Sequence, residues 1–157
     1  MTDFPQLIKV LVSSGVEFII VGGAAAIVHG AARLTEDLDV VYRRNDQNTA
    51  RLIVALESHS PYLRGAPPGL PFRWEPSTIR NGLNFTLITD IGAIDLLGEI
   101  TGGGGYEDLL PDSISLKVFG FDCWCLDLEK LIFVKRAAGR PKDLEAVAEL
   151  ESILDER

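Results

Sequence analysis

Asp37-Leu38-Asp39, set in the run EDLDVVY, limits the fold more than any other part of this chain. The run reads as a β-strand over 36–42. In a strand, residues i and i+2 project from one face and their neighbours from the other. Both carboxylates therefore share a face, while Leu38 and Val40 turn toward a core. Two carboxylates held this close repel, and one tends to take up a proton unless a divalent cation neutralises the pair. Mg²⁺ suits such a place, because it accepts one or two carboxylates, several waters and the phosphates of a substrate.

A third carboxylate, Asp95, falls in a second expected strand, AIDLLGEI, between the apolar Ile94 and Leu96. Three acids from two strands can hold one or two metal ions, or leave one acid free as a base for an incoming hydroxyl. Upstream, the β-branched run VEFIIV ends at Gly22-Gly23, and a short Ala-rich helix follows. A glycine pair there lets backbone N–H groups approach a phosphate, with the positive end of the new helix behind them. Each feature has a plainer counterpart: a solvated strand face for the acids, a tight turn for the glycines. His29 and Arg33 taken singly read as capping or surface residues. The order and spacing of the features together favour the chemical reading.

The rest of the pattern alternates helix and strand. Helices are expected over 4–14, 24–29 and 45–58, and strands over 16–21, 36–42, 71–74, 83–89 and 93–100. Asp90-Ile91-Gly92 joins the last two as a hairpin, and a second hairpin spans 115–119 and 122–126. Two helices finish the pattern, over about 128–138 with Asp127 as N-cap and from Pro141 to about 154, separated by Gly139. The segments 60–69 and 101–105 read as loops, open to motion or simply surface connections. This is a mixed α/β arrangement in which a sheet carries helices. It reads as one domain over 1–157, with a core over 16–126 and a helical segment over 127–155. Strand order does not follow from the pattern.

With 157 residues, 46% of them hydrophobic and 24% charged, the chain is long enough for a sizeable core. Its net charge of −8 speaks against sequence-independent nucleic-acid binding, which depends on Lys and Arg at phosphates. One local basic strip exists: Lys135, Arg136, Arg140 and Lys142. No apolar run is long enough to cross a bilayer, and the N-terminus does not read as a signal peptide. Cys123 and Cys125, at i and i+2, read as buried thiols in a reducing cytoplasm rather than as a disulfide or a zinc site.

The stretch GGAAAIVHGAARLTEDLDVV, Gly22 to Val41, resembles the signature of the polymerase-β-type nucleotidyltransferase superfamily. That signature is a Gly-Gly or Gly-Ser pair followed by Asp-x-Asp. The form HG..R.T.DLD is similar to the minimal bacterial branch containing nucleotidyltransferase toxins, antitoxins and abortive-infection proteins. The tail LEKLIFVKRAAGRPKDLEAVAEL, Leu128 to Leu150, resembles the helical segment of those proteins, so the likeness spans about residues 16–150.

The resemblance implies an α/β (α+β) nucleotidyltransferase-type fold: a mixed sheet with helices packed on it and two C-terminal helices. It implies Mg²⁺, or Mn²⁺ in its place, on Asp37, Asp39 and Asp95, with Asp95 as candidate base. Gly22 and Gly23 would hold the triphosphate, and Lys135 and Arg33 would reach its phosphates. Asp143 would orient Lys135 or touch the nucleotide. Gly23 departs from relatives that carry Ser there, leaving only backbone donors. The implied reaction moves a nucleoside monophosphate from a nucleoside triphosphate to a hydroxyl of RNA, such as a tRNA-like end, or of protein, releasing pyrophosphate. The alternatives are a catalytically weak or silent antitoxin or partner-binding domain that keeps the nucleotidyltransferase fold, and a metal-dependent phosphohydrolase.

Overall fold

The computed structural model describes residues 1–157. Helix α1 (Phe4–Ser13) starts where Asp3 caps the Gln6 N–H at 3.1 Å, and it buries Leu7, Ile8 and Leu11. Strand β1 (Phe18–Val21) runs into α2 (Gly22–Val28), and β2 (Asp37–Tyr42) carries the acid pair. Helix α3 (Asp46–Leu56) follows, then β3 (Tyr62–Leu63), α4 (Pro76–Asn81), β4 (Phe85–Thr89) and β5 (Gly92–Leu97). A small hairpin, β6 (Glu99–Ile100) with β7 (Gly104–Gly105), precedes the short α5 (Tyr106–Leu109). The β8 (Ser113–Val118) and β9 (Phe121–Leu126) hairpin leads into α6 (Leu128–Ala138) and α7 (Pro141–Asp155).

Seven strands form one mixed sheet in the order β3-β4-β5-β2-β1-β9-β8. Pairs β2–β5 and β1–β9 are parallel and the other neighbours antiparallel. The acid strand is thus central. Its Leu38 and Val40 are buried, as the alternation requires, together with Ile94 and Leu96 of β5. The mixed sheet, the helices on it and the two C-terminal helices match the expected fold class. Asp127 caps α6 by accepting from the Lys130 N–H at 2.7 Å, and Gly139 ends that helix in the left-handed conformation, φ 68°.

The structure departs from the sequence-based expectation in several places. The strand expected over 93–100 is divided: β5 ends at Leu97, and β6 pairs with β7, which lies inside the expected loop 101–105. Residues 71–74 form no strand; the Trp74 indole donates to the Ile53 carbonyl at 3.0 Å, and Pro76 opens α4 at a position where its missing N–H costs nothing. The loop 60–69 contains β3, an edge strand of only two residues, too short to show periodicity. Strand β1 begins at Phe18, because the Glu17 N–H donates to the Asn48 side chain at 2.7 Å instead of joining a ladder.

Asn48 is fully buried on α3 and ties that helix to the sheet. Its amide nitrogen donates to the carbonyls of Glu17 at 3.0 Å and Arg43 at 2.8 Å, so it spans the entry of β1 and the exit of β2. Asn48→Ala leaves these buried groups underpaired and is expected to cost ~2–3 kcal/mol. Urea unfolding should show a lower midpoint with an unchanged slope.

Candidate active site

The acids meet through strand register. In the parallel β2–β5 pair, Asp39 lies opposite Asp95 and Asp37 opposite Ala93. Ligand-capable oxygens of Asp37, Asp39 and Asp95 all lie within 4.8 Å of one another. The cluster forms one wall of a cleft of about 490 Å³. The facing wall comes from α6 and α7 and includes Lys135, Arg140, Lys142 and Asp143.

The turn from β1 into α2 is shaped around Asp39. Val21 pairs with Asp39 in the antiparallel β1–β2 register, so Gly22 comes directly against its carboxylate. A Cβ on Gly22 would lie 2.2 Å from Asp39 Oδ2, and the residue sits at φ 62°, where side chains are disfavoured. Gly23 contributes differently: a Cβ there would lie 3.1 Å from Thr35 Oγ1, so it packs against the loop before β2 and does not line the cleft.

Electrostatics at the cluster are strained. The Asp39 carboxyl is pushed up to about 7, first by burial, then by the charge and hydrogen bonding of Asp95 and the charge of Asp37, against the pull of Lys135. Its Oδ1 is buried without a hydrogen-bond partner. Asp37 is also raised, by burial and then by Asp95, while Arg64 and Lys142 oppose the shift. Arg64 reaches in from the segment after β3, donating from Nη2 to Asp95 Oδ1 at 2.7 Å, with Nη1 3.6 Å from Asp37 Oδ2.

On the facing wall, burial lowers the Lys135 ammonium from its usual value despite the attraction of Asp143 and Asp39. Asp143 is buried, 3% exposed, and is held by Arg140, whose Nε donates to Oδ2 at 2.6 Å and whose Nη2 donates to Oδ1 at 3.2 Å. Burial raises its carboxyl, but the hydrogen bonds and charge of Arg140, with Lys135, outweigh this and hold it below the ordinary range. Asp143 therefore hydrogen-bonds Arg140, and its influence on Lys135 is through charge.

The structure brings together Gly22, Asp37, Asp39, Asp95, Lys135 and Asp143 in one cleft. Arg33 lies elsewhere, paired with Glu149 at 3.2 Å and Glu145 at 3.9 Å on α7. His29 is buried, with Nε2 2.7 Å from the Leu126 carbonyl oxygen and Nδ1 facing Arg157 at 3.2 Å. Sequence reasoning missed Arg64, and also Asn84, which lines the cleft while its Oδ1 accepts from the Gly98 N–H at 2.8 Å. Arg64 sits in a Pro- and Gly-rich segment with no periodicity to aim it, so no local signal marks it. Cys123 and Cys125 are buried free thiols, pushed up to about 11 and about 12, in each case chiefly by burial.

This architecture is the nucleotidyltransferase-type fold. Among solved structures, the lincomycin-bound lincosamide antibiotic adenylyltransferase LnuA shares it with TM-score 0.62 at 15% identity, covering 97% of this chain and 98% of that one. The candidate nucleotidyltransferase TM1012 of Thermotoga maritima gives 0.53 at 16% identity, with coverage of 100% and 97%. ANT(2")-Ia in complex with adenylyl-2"-tobramycin gives 0.56 at 12% identity, covering 95% of this chain and 86% of that one. At these identities the likeness is one of fold. No protein-family model matches the chain, and no curated protein matches it in sequence.

Two measurements test the geometry. Gly22→Ala should displace the Asp39 carboxylate and destabilise the protein by ~1–2 kcal/mol, read as a lowered melting temperature. The second concerns pH. Folding raises the Asp39 pKa from its ordinary 3.8 to about 7, so the folded state holds a proton that the unfolded chain releases. Stability therefore falls as pH rises through that window and stays reduced above it. In metal-free protein at pH 8, Asp39→Asn should stabilise by roughly 1–3 kcal/mol. The gain should fade toward pH 4; a difference that is constant with pH would remove the buried-charge account.

Proposed function

We propose that this chain is a Mg²⁺-dependent nucleotidyltransferase that moves a nucleoside monophosphate from a nucleoside triphosphate to an acceptor hydroxyl, releasing pyrophosphate. The observation that carries the reading is the convergence of three carboxylates from two adjacent strands on a cleft whose opposite wall is cationic. The donor set fits a hard divalent cation, since all donors are oxygens and Asp39 Oδ1 is buried with no partner. When bound, the cation neutralises the triphosphate and the developing charge on the leaving pyrophosphate.

The chain's own residues supply the rest. Asp37 and Asp39, with Asp95, hold the cation, and Asp95 is the candidate acceptor for the hydroxyl proton. Lys135 and the exposed Lys142 bind phosphate oxygens from the facing wall, the half-buried Lys135 ammonium interacting more strongly than it would in water. Asp143 fixes Arg140 at the rim. The opening of α2 at Gly22 offers a backbone N–H to the triphosphate, while Gly23, expected to share that role, packs against Thr35 outside the cleft. Arg33 joins them only when its ion pairs with Glu145 and Glu149 open. Catalysis then rests on positioning and charge stabilisation.

The hydroxyl belongs to RNA, such as a tRNA-like end engaging the Lys135–Lys142 strip, or to a protein. The lincosamide antibiotic adenylyltransferase, and the ANT(2")-Ia complex with adenylyl-2"-tobramycin, add small hydroxylated compounds to the acceptors worth testing. The unbridged buried thiols suit a reducing, cytoplasmic setting, and no helix is long and apolar enough to cross a membrane.

Incubation with each labelled nucleoside triphosphate, Mg²⁺ and an acceptor panel of RNA, protein extract and small hydroxylated compounds should label one class and release pyrophosphate. Asp37→Ala with Asp39→Ala should reduce labelling by at least about a thousandfold while the fold persists. Orthophosphate release would instead indicate a phosphohydrolase. Nucleotide binding without any labelling would favour the second reading, a silent domain of the toxin–antitoxin or abortive-infection kind that binds a partner protein.

A further inference from the structure

Arg64 is the charged group that touches the acid cluster, and it does so asymmetrically. Its Nη2 lies 2.7 Å from Asp95 Oδ1 and its Nη1 3.6 Å from Asp37 Oδ2. It makes no bond to Asp39, whose Oδ1 is the carboxylate oxygen of the cluster left buried and unpaired. The guanidinium is also anchored from behind. Nη2 donates to the Leu87 carbonyl at 2.8 Å, and the Arg64 backbone N–H donates to the Thr86 carbonyl at 3.0 Å, prolonging the β3–β4 ladder. A side chain tethered to the sheet at its base and its tip is a fixed part of the site rather than a surface group crossing it.

Charge sharpens the point. Three carboxylates and one guanidinium leave a formal charge of −2, which one divalent cation balances. A second cation on the Asp37–Asp95 side would meet a positive group already hydrogen-bonded there. Building on the metal reading above, we propose that Arg64 permanently fills the place of a second cation, so that the cluster takes a single divalent ion, beside Asp39. Arg64 is thus a positioning residue: it orients Asp95 and sets how many cations the site accepts. Its Nε is buried and without a partner, an unsatisfied donor that the contacts with Asp95, Asp37 and Leu87 offset.

The test counts ions without reading activity. Metal-stripped protein is titrated with Mn²⁺ in the absence of nucleotide, and free Mn²⁺ is followed by electron paramagnetic resonance. Wild type should bind one Mn²⁺ per chain. Arg64→Gln should bind two, the first about tenfold more tightly than wild type, because a neighbouring positive charge is gone. Arg64→Lys, which keeps the charge but loses the Nη2 hydrogen bonds to Asp95 and the Leu87 carbonyl, should bind one, whereas a merely structural role would make it behave like Arg64→Gln. Melting curves check that each variant folds, and where Arg64→Gln does not, Arg64→Met, which also removes the charge, takes its place with the same expected count of two. Two ions in wild type, or a single ion in folded Arg64→Gln, would overturn the role of Arg64 and leave the metal site standing. No Mn²⁺ bound by any of the proteins would overturn the metal site itself, and this role with it.

Discussion

Three carboxylates crowded on the central strands of the sheet are the constraint around which the rest of this structure is arranged. Strand register imposes the crowding: Asp39 faces Asp95 across a parallel pair, and Asp37 is one pleat away on the same face. Such a cluster is unfavourable by itself, since burial and mutual repulsion both act against charge. Its surroundings answer that cost from several directions. Gly22 withholds a side chain so that the Asp39 carboxylate has room. Arg64 supplies positive charge from the sheet side, and Lys135 supplies it from the helices opposite. Asp143, held by Arg140, in turn places a negative charge near Lys135. The cleft is an alternation of charges, with an acid wall left incompletely compensated at Asp39.

Much of this was legible in the sequence, for a physical reason. A strand with acids at i and i+2 and apolar residues between them has one arrangement in a half-buried sheet, and Leu38 and Val40 took the buried face accordingly. Caps and breakers were equally readable at Asp127, Gly139 and Pro141, because their effects are local. What escaped notice depended on distant partners. The edge strand β3 exists because β4 offers a pairing edge, and the expected strand over 71–74 stays out of the sheet, with Trp74 donating to a carbonyl on α3. Arg64 escaped for the same reason, since a lone arginine in a Pro- and Gly-rich segment carries no sign of where its tip will rest. Arg33 shows the converse: a residue placed near phosphate by motif lies in this structure against two glutamates of α7. The buried amide of Asn48, which shortens β1, has no periodic signature either.

The sheet order has a bearing on how the protein is made. Strand β1 lies between β2, which follows it closely in the chain, and β9, which arrives about a hundred residues later. Until β9 is synthesised and docks in parallel alongside β1, a nascent chain leaving the ribosome has an apolar inner strand with one open edge. That edge is the kind of surface at which unfinished chains stick to one another. The same late segment brings the helices bearing Lys135 and Lys142, so the acidic wall is built well before its cationic counterpart. Completion of the cleft therefore waits on a long-range parallel pairing, the slowest sort of contact for a chain to make.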